Sequence, residues 1–96
     1  MLKLVFTTQF KKDYKLAVKR HEDVDELFKV IGEIQKQEPL PAEKNDHLLS
    51  GNYKGYRECH IHPDVLLIYK IREKQLELVL YRTGSHKEYN CSIFVV

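Results

Sequence analysis

Val65-Leu-Leu-Ile-Tyr-Lys-Ile71 is the most apolar stretch of the 96-residue chain, and its reading decides the fold. A short, continuous apolar run bounded by turn signals reads as a strand buried on both faces, so it is expected at the centre of a sheet. Pro63-Asp64 in front of it is a turn signal. Arg72-Glu73-Lys74 behind it is a candidate hairpin turn, although it lacks glycine. Upstream, Tyr53 to His62 shows mixed alternation and reads as a strand. Downstream, Gln75 to Arg82 alternates Leu76, Leu78 and Leu80 on one face with Glu77, Val79 and Tyr81 on the other, until Thr83-Gly84 breaks the strand. Three strands joined in this way make an antiparallel meander.

The first half carries the helices. Leu2 to Phe6 reads as a short strand, after which Thr7 or Thr8 offers an N-cap hydroxyl. Phe10, Tyr14, Ala17 and Val18 follow at helical spacing, and that helix ends near Arg20-His21. Val24, Leu27, Phe28, Ile31 and Ile34 repeat the pattern in a second helix, which must stop before Pro39. Glu38 to Ala42 is a stiff connector, and Asp46 to Asn52 is a polar loop. The order is β-α-α-β-β-β. This is an α+β fold in which two helices pack on one side of the meander. A strand that returns through a helical crossover gains a parallel neighbour, so the first strand is expected to join the meander that way. No repeat or linker divides the chain, and residues 1–96 read as one domain.

Composition narrows the class. Apolar residues make up 43% and charged residues 31%, which excludes collagen-like and disordered chains. No apolar run exceeds Val65 to Tyr69, so no membrane span is expected, and the first residues lack a signal-peptide pattern. Cys59 and Cys91 make no disulfide framework. A cytoplasmic protein with reduced thiols is the expectation. Residues 1–22 carry net +4, residues 23–43 net −4, and residues 44–96 net +2. Lys11, Lys12, Lys15 and Lys19 make the first helix basic. It is either a polyanion-facing surface or an ordinary solvated helix face.

Four of the five histidines fall within residues 44–96. His47 lies in the polar loop. His60 and His62 sit two apart on a strand and are expected on the same face. His86 follows the last strand, Asp64 sits in the turn after Pro63, and Arg82 ends the last strand. Three kinds of chemistry fit. A metal would need His60 and His62 with Cys59 or His86, but alternation puts Cys59 on the opposite face from His60, and no CxxC or HExxH is present. Acid–base cleavage of a phosphodiester needs a base, an acid and a cation, and two histidines with an arginine supply all three. The third alternative is surface histidines satisfied by water.

The segments Asp46-His-Leu-Leu-Ser-Gly51, Tyr53-Lys-Gly-Tyr-Arg-Glu-Cys-His60, Pro63-Asp-Val-Leu-Leu-Ile-Tyr69 and Arg82-Thr-Gly-Ser-His86 resemble, in order and spacing, the YafQ branch of the RelE/ParE toxin superfamily. The likeness covers about residues 1 to 89. It implies the RelE/ParE-like microbial RNase fold and a type II toxin–antitoxin toxin. Such a toxin is an mRNA endoribonuclease that acts in the ribosomal A site on the 30S subunit and is held silent by a cognate antitoxin. It also implies a catalytic set of His47, His60, Asp64, Arg82 and His86, with no metal and no cofactor. His86 would be the leading acid for the 5′-oxygen, and His47 or His60 the base on the 2′-hydroxyl. Asp64 would orient a histidine, and Arg82 would hold the phosphate. Lys11, Lys12, Lys15, Lys19, Lys54 and Tyr89 are the candidates for contact with RNA or ribosome. Arg57 reads as a structural ion-pair residue, and His62 as solvent-facing.

The chain departs from the family pattern in two places. Val65 stands where some members carry tryptophan, and Tyr89-Asn90 where many carry Leu-Phe. The tail 91–96 has no assigned role. The alternative from another class is a ParE-like toxin that is no nuclease, or an inactivated toxin that only binds antitoxin.

Overall fold

Val65–Arg72 (β4) is the middle strand of a five-stranded sheet in a computed structural model that describes residues 1–85, apart from the side chains of Asn52 and Ser85. His86, Tyr89 and the tail 91–96 lie outside the described residues. On one side β4 pairs antiparallel with Arg57–His62 (β3), and on the other with Glu77–Ser85 (β5). The first strand, Lys3–Phe6 (β1), lies parallel to β5, as a helical crossover requires. The crossover consists of Thr8–Lys19 (α1) and Val24–Gln35 (α2). The α+β order therefore holds, with one addition. His47–Leu48 (β2) pairs antiparallel with β3 inside the stretch expected to be a polar loop, and completes the order β1-β5-β4-β3-β2. A two-residue strand is too short to show any period.

The helix starts follow from their caps. Thr7 accepts a hydrogen bond from the Phe10 amide at 3.0 Å, which satisfies one of the orphan donors of α1. Asp23 does the same for the Glu26 amide on α2 at 3.0 Å. That amide, and secondly His62, hold the Asp23 carboxyl below its usual range. Both helices lie on one face of the sheet. There Leu2, Phe10, Leu27, Val30, Ile31 and Ile34 pack with Cys59, Ile61, Leu67, Tyr69, Leu78 and Leu80. At the rim of this core the Tyr69 hydroxyl donates to Asp46 Oδ1. Arg57 grips the same carboxylate, with Nε 3.3 Å from Oδ1 and Nη2 3.2 Å from Oδ2, so Arg57 is the ion-pair residue expected of it.

Two bulges change the expected strand faces. In β5, Leu80 stands opposite Tyr69 and Arg82 opposite Ile68, which leaves Tyr81 as an extra residue. The strand does not break at Thr83-Gly84 but runs on to Ser85. The Thr83 hydroxyl donates to the Leu66 carbonyl at 2.9 Å, which ties that segment into the sheet. In β3, His60 pairs with Leu66 and His62 with Val65, neighbours on β4 that face opposite ways. His60 and His62 therefore do not share a face. His62 reaches α2 instead, with Nε2 3.1 Å from Asp23 Oδ2.

Leu76 is the other departure. It was expected on one strand face with Leu78 and Leu80, but it sits in the β4–β5 turn at φ 55° with 62% exposure. A left-handed leucine costs about 1–2 kcal/mol, whereas asparagine visits that region readily. Leu76→Asn should accordingly be neutral or stabilising by up to about 1 kcal/mol. Leu67→Ala, at a site with 0% exposure, should cost about 2–5 kcal/mol. Urea unfolding of both variants checks the two signs.

Candidate active site

Pairing across four strands builds one row of side chains. His47 stands opposite Glu58, Glu58 opposite Ile68, and Ile68 opposite Arg82. Directly opposed residues of an antiparallel sheet share a face. This face lies away from the helices, because Cys59, Leu67 and Tyr69, the chain neighbours of Glu58 and Ile68, point into the core. The adjacent row holds His60, Leu66 and Gly84.

His47 Nδ1 lies 2.6 Å from the Asn45 carbonyl oxygen. A carbonyl can only accept, so Nδ1 carries the hydrogen and donates. Nε2 is then the nitrogen left for proton transfer. It faces Glu58 Oε1 at 3.5 Å, and His60 Nε2 lies 3.8 Å from the same oxygen. Glu58 is buried at 5% exposure, so one carboxylate is held between two imidazoles. Both separations are longer than well-formed hydrogen bonds.

Arg82 is fixed from the opposite flank. Its Nε and Nη2 lie 3.3 and 3.4 Å from the carboxylate of Asp13 on α1. Asp13 is itself buried and accepts from Gln9 Nε2 at 3.0 Å and the Thr83 amide at 3.2 Å. The first helix thereby sets where the guanidinium stands.

The sequence-derived candidates separate into groups. His47, His60 and Arg82 share one sheet face on the two rows, with Arg82 on β5 three strands from His47 on β2. Asp64 is exposed in the β3–β4 turn, at the sheet end where Val65 pairs with Ser85. His86 and Tyr89 lie outside the described residues. Lys11, Lys12, Lys15 and Lys19 are exposed on α1, in the helix layer, and Lys54 is exposed just before β3. Glu58 was missed. The acid expected beside a histidine was Asp64, whereas the structure puts Glu58 between His47 and His60. Its spacing two residues before His60 on an alternating strand was the available signal; its burial was not readable. Among the described residues, no group of three or more His, Cys, Asp or Glu side chains is arranged to hold a metal ion.

This fold and this face define a small α+β toxin of the RelE-like kind. The family model for the YafQ bacterial toxin of type II toxin–antitoxin systems matches residues 2–90. The mRNA interferase toxin YafQ of Escherichia coli K12 is 45% identical over 82 residues, covering 84% of this chain and 87% of that protein. A metal-bound toxin from Helicobacter pylori superposes with TM-score 0.87 at 41% identity, covering 94% of this chain and all of that one. The Escherichia coli DinJ–YafQ toxin–antitoxin complex superposes with TM-score 0.80 at 41% identity, covering 91% of this chain and 94% of that one. The chain belongs to the YafQ family of type II toxin–antitoxin toxins.

Cys59 takes no part in the site. Burial pushes its thiol up to about 12, and it faces the helices. In a Cys91→Ser variant, native protein at pH 8 should resist iodoacetamide and react only when urea unfolds it. The raised value also fixes a sign. The buried thiol favours folding fully below the unfolded thiol's pKa of about 8.5, and that contribution falls as pH rises toward about 12.

Proposed function

We propose that this mRNA interferase toxin cuts ribosome-bound message by attack of the substrate's own 2′-hydroxyl, using histidine acid–base chemistry and no metal. The carrying observation is the row itself: two imidazoles at one buried carboxylate, with an anchored guanidinium on the same face. His47, whose Nε2 is left for the proton, is the base on the 2′-hydroxyl. Glu58 and the Asn45 carbonyl position its ring. His60 stands beside it as the second imidazole of the pair. Arg82 holds the scissile phosphate and stabilises the charge that develops on it. His86 is the acid for the departing 5′-oxygen, and Asp64 the carboxylate that orients it. Tyr89 stacks on a base of the message. The exposed lysines Lys11, Lys12, Lys15, Lys19 and Lys54 supply diffuse contacts to ribosomal phosphates.

As a type II toxin the chain has a cognate antitoxin partner. Acidic and apolar side chains on a flexible antitoxin segment suit the basic surface, through coupled folding and binding. Action on translating ribosomes places the protein in the cytoplasm.

Single-turnover cleavage on programmed 70S ribosomes tests the mechanism. His47→Ala should slow cleavage about 10²–10⁴-fold, the usual contribution of one proton-transfer group. Arg82→Ala should slow it about 10²–10³-fold, as loss of one transition-state donor does. The upstream fragment should end in a 2′,3′-cyclic or 3′-phosphate and the downstream fragment in a 5′-hydroxyl. A 5′-phosphate on the downstream fragment means attack by water and overturns the mechanism.

A further inference from the structure

Three tyrosines fan out on the same sheet face as the histidines. Tyr56 and Tyr81 have ring centroids 4.9 Å apart at 41°, and Tyr53 lies 6.3 Å from Tyr81 at 58°. Lys70 holds its ammonium 5.3 Å from the Tyr56 ring centre. None of the four belongs to the hydrophobic core, and all are partly exposed. Tyr69 shows what a structural tyrosine does in this fold: it is 2% exposed and donates its hydroxyl to Asp46.

The register puts this group next to the candidate active site. Lys70 follows Ile68 by two residues on β4 and pairs with Val79, and Tyr56 precedes Glu58 by two. Two strand residues span about 7 Å, so the fan lies one such step from the His47–Glu58–Arg82 row. Tyr81 is the bulged residue. Alternation from Val79 places it on this face, and the bulge keeps Arg82 there as well, so chain neighbours present a ring and a cation side by side. The Thr7 hydroxyl donates to the carbonyls of Leu80 and Tyr81 at 3.0 and 2.9 Å, which pins the bulge to the start of α1.

We propose that Tyr56 and Tyr81, flanked by Tyr53 and Lys70, form a stacking platform for the nucleobase adjacent to the phosphodiester that Arg82 holds. The ligand class is one unpaired base of single-stranded RNA, with the Lys70 ammonium toward its phosphate. This inference rests on the nuclease reading of the neighbouring row. Aromatic faces accept any base, so the platform positions the message with little preference among bases.

The test uses the full chain on programmed ribosomes. Tyr81→Ala should raise the half-saturating toxin concentration about 5- to 140-fold, the range for loss of one base stack. The saturating cleavage rate should stay near that of the parent, and Tyr81→Phe should restore the parent value. A message abasic at the stacked nucleotide should weaken the parent equally, and should erase the difference between parent and Tyr81→Ala. Antitoxin binding by each variant checks that it folds. An unchanged half-saturation for Tyr81→Ala, or a deficit that persists undiminished on the abasic message, overturns the platform. The chain has no tryptophan, so Tyr81→Trp introduces a single reporter for the case in which no message is cut. Quenching by a normal message but not by the abasic one supports the platform even if the nuclease reading fails. Equal quenching by both, or none by either, overturns it.

Discussion

Tyr81, one residue in excess on β5, sets the register on which the site depends. Upstream of it Leu78 and Leu80 face the helices; downstream, Arg82 aligns with Ile68 on the other face. Were Tyr81 paired regularly with Ile68, Arg82 would stand opposite Leu67 and follow Leu80 into the core, where an unpaired charge costs several kcal/mol. The bulge also ends the match with β1, whose last partner is Leu80. Beyond that point the β5 edge is taken over by α1. The Thr7 hydroxyl donates to the bulge carbonyls, and Asp13 accepts from the Thr83 amide. Edge strands need such cover, and here the covering helix also anchors the arginine.

The histidines depend on the opposite flank of the same sheet. β2 is only two residues long, yet its pairing brings His47 against Glu58. Asp46, the residue before it, is held by Arg57 and Tyr69 on the helix side. Alternation then sends His47 to the other face. One short segment thus links the packed core to the candidate chemistry, and the Asn45 carbonyl selects the tautomer of His47. A buried carboxylate between two imidazoles restrains both rings, with the Nε2 of each turned toward Glu58 Oε1.

Much of this was legible in the residues because it rests on local physics. The apolar run Val65 to Ile71 marked the central strand, and spacing marked both helices. A threonine cap marked the start of the first helix and Pro39 the end of the second, and the crossover implied a parallel β1. What escaped depends on register. No local signal distinguishes a bulge at Ile61 from continued alternation, so His60 and His62 were expected together. Nothing near Thr83-Gly84 announces that Asp13, seventy residues earlier, supplies the acceptor that lets the strand continue. The burial of Glu58 was not readable because it arises from neighbours across the sheet. Alternation grouped Leu76 with Leu78 and Leu80 on one strand face, although the chain takes a left-handed turn there.

The account centres on the substrate's own 2′-hydroxyl as the nucleophile activated by this row. A message carrying a single 2′-deoxy nucleotide at the cleavage position tests that most directly, on programmed ribosomes with the unmodified protein. The account predicts that this message binds as the all-ribose message does and remains uncut. Cleavage at the 2′-deoxy nucleotide at a rate near that of the all-ribose message would contradict it.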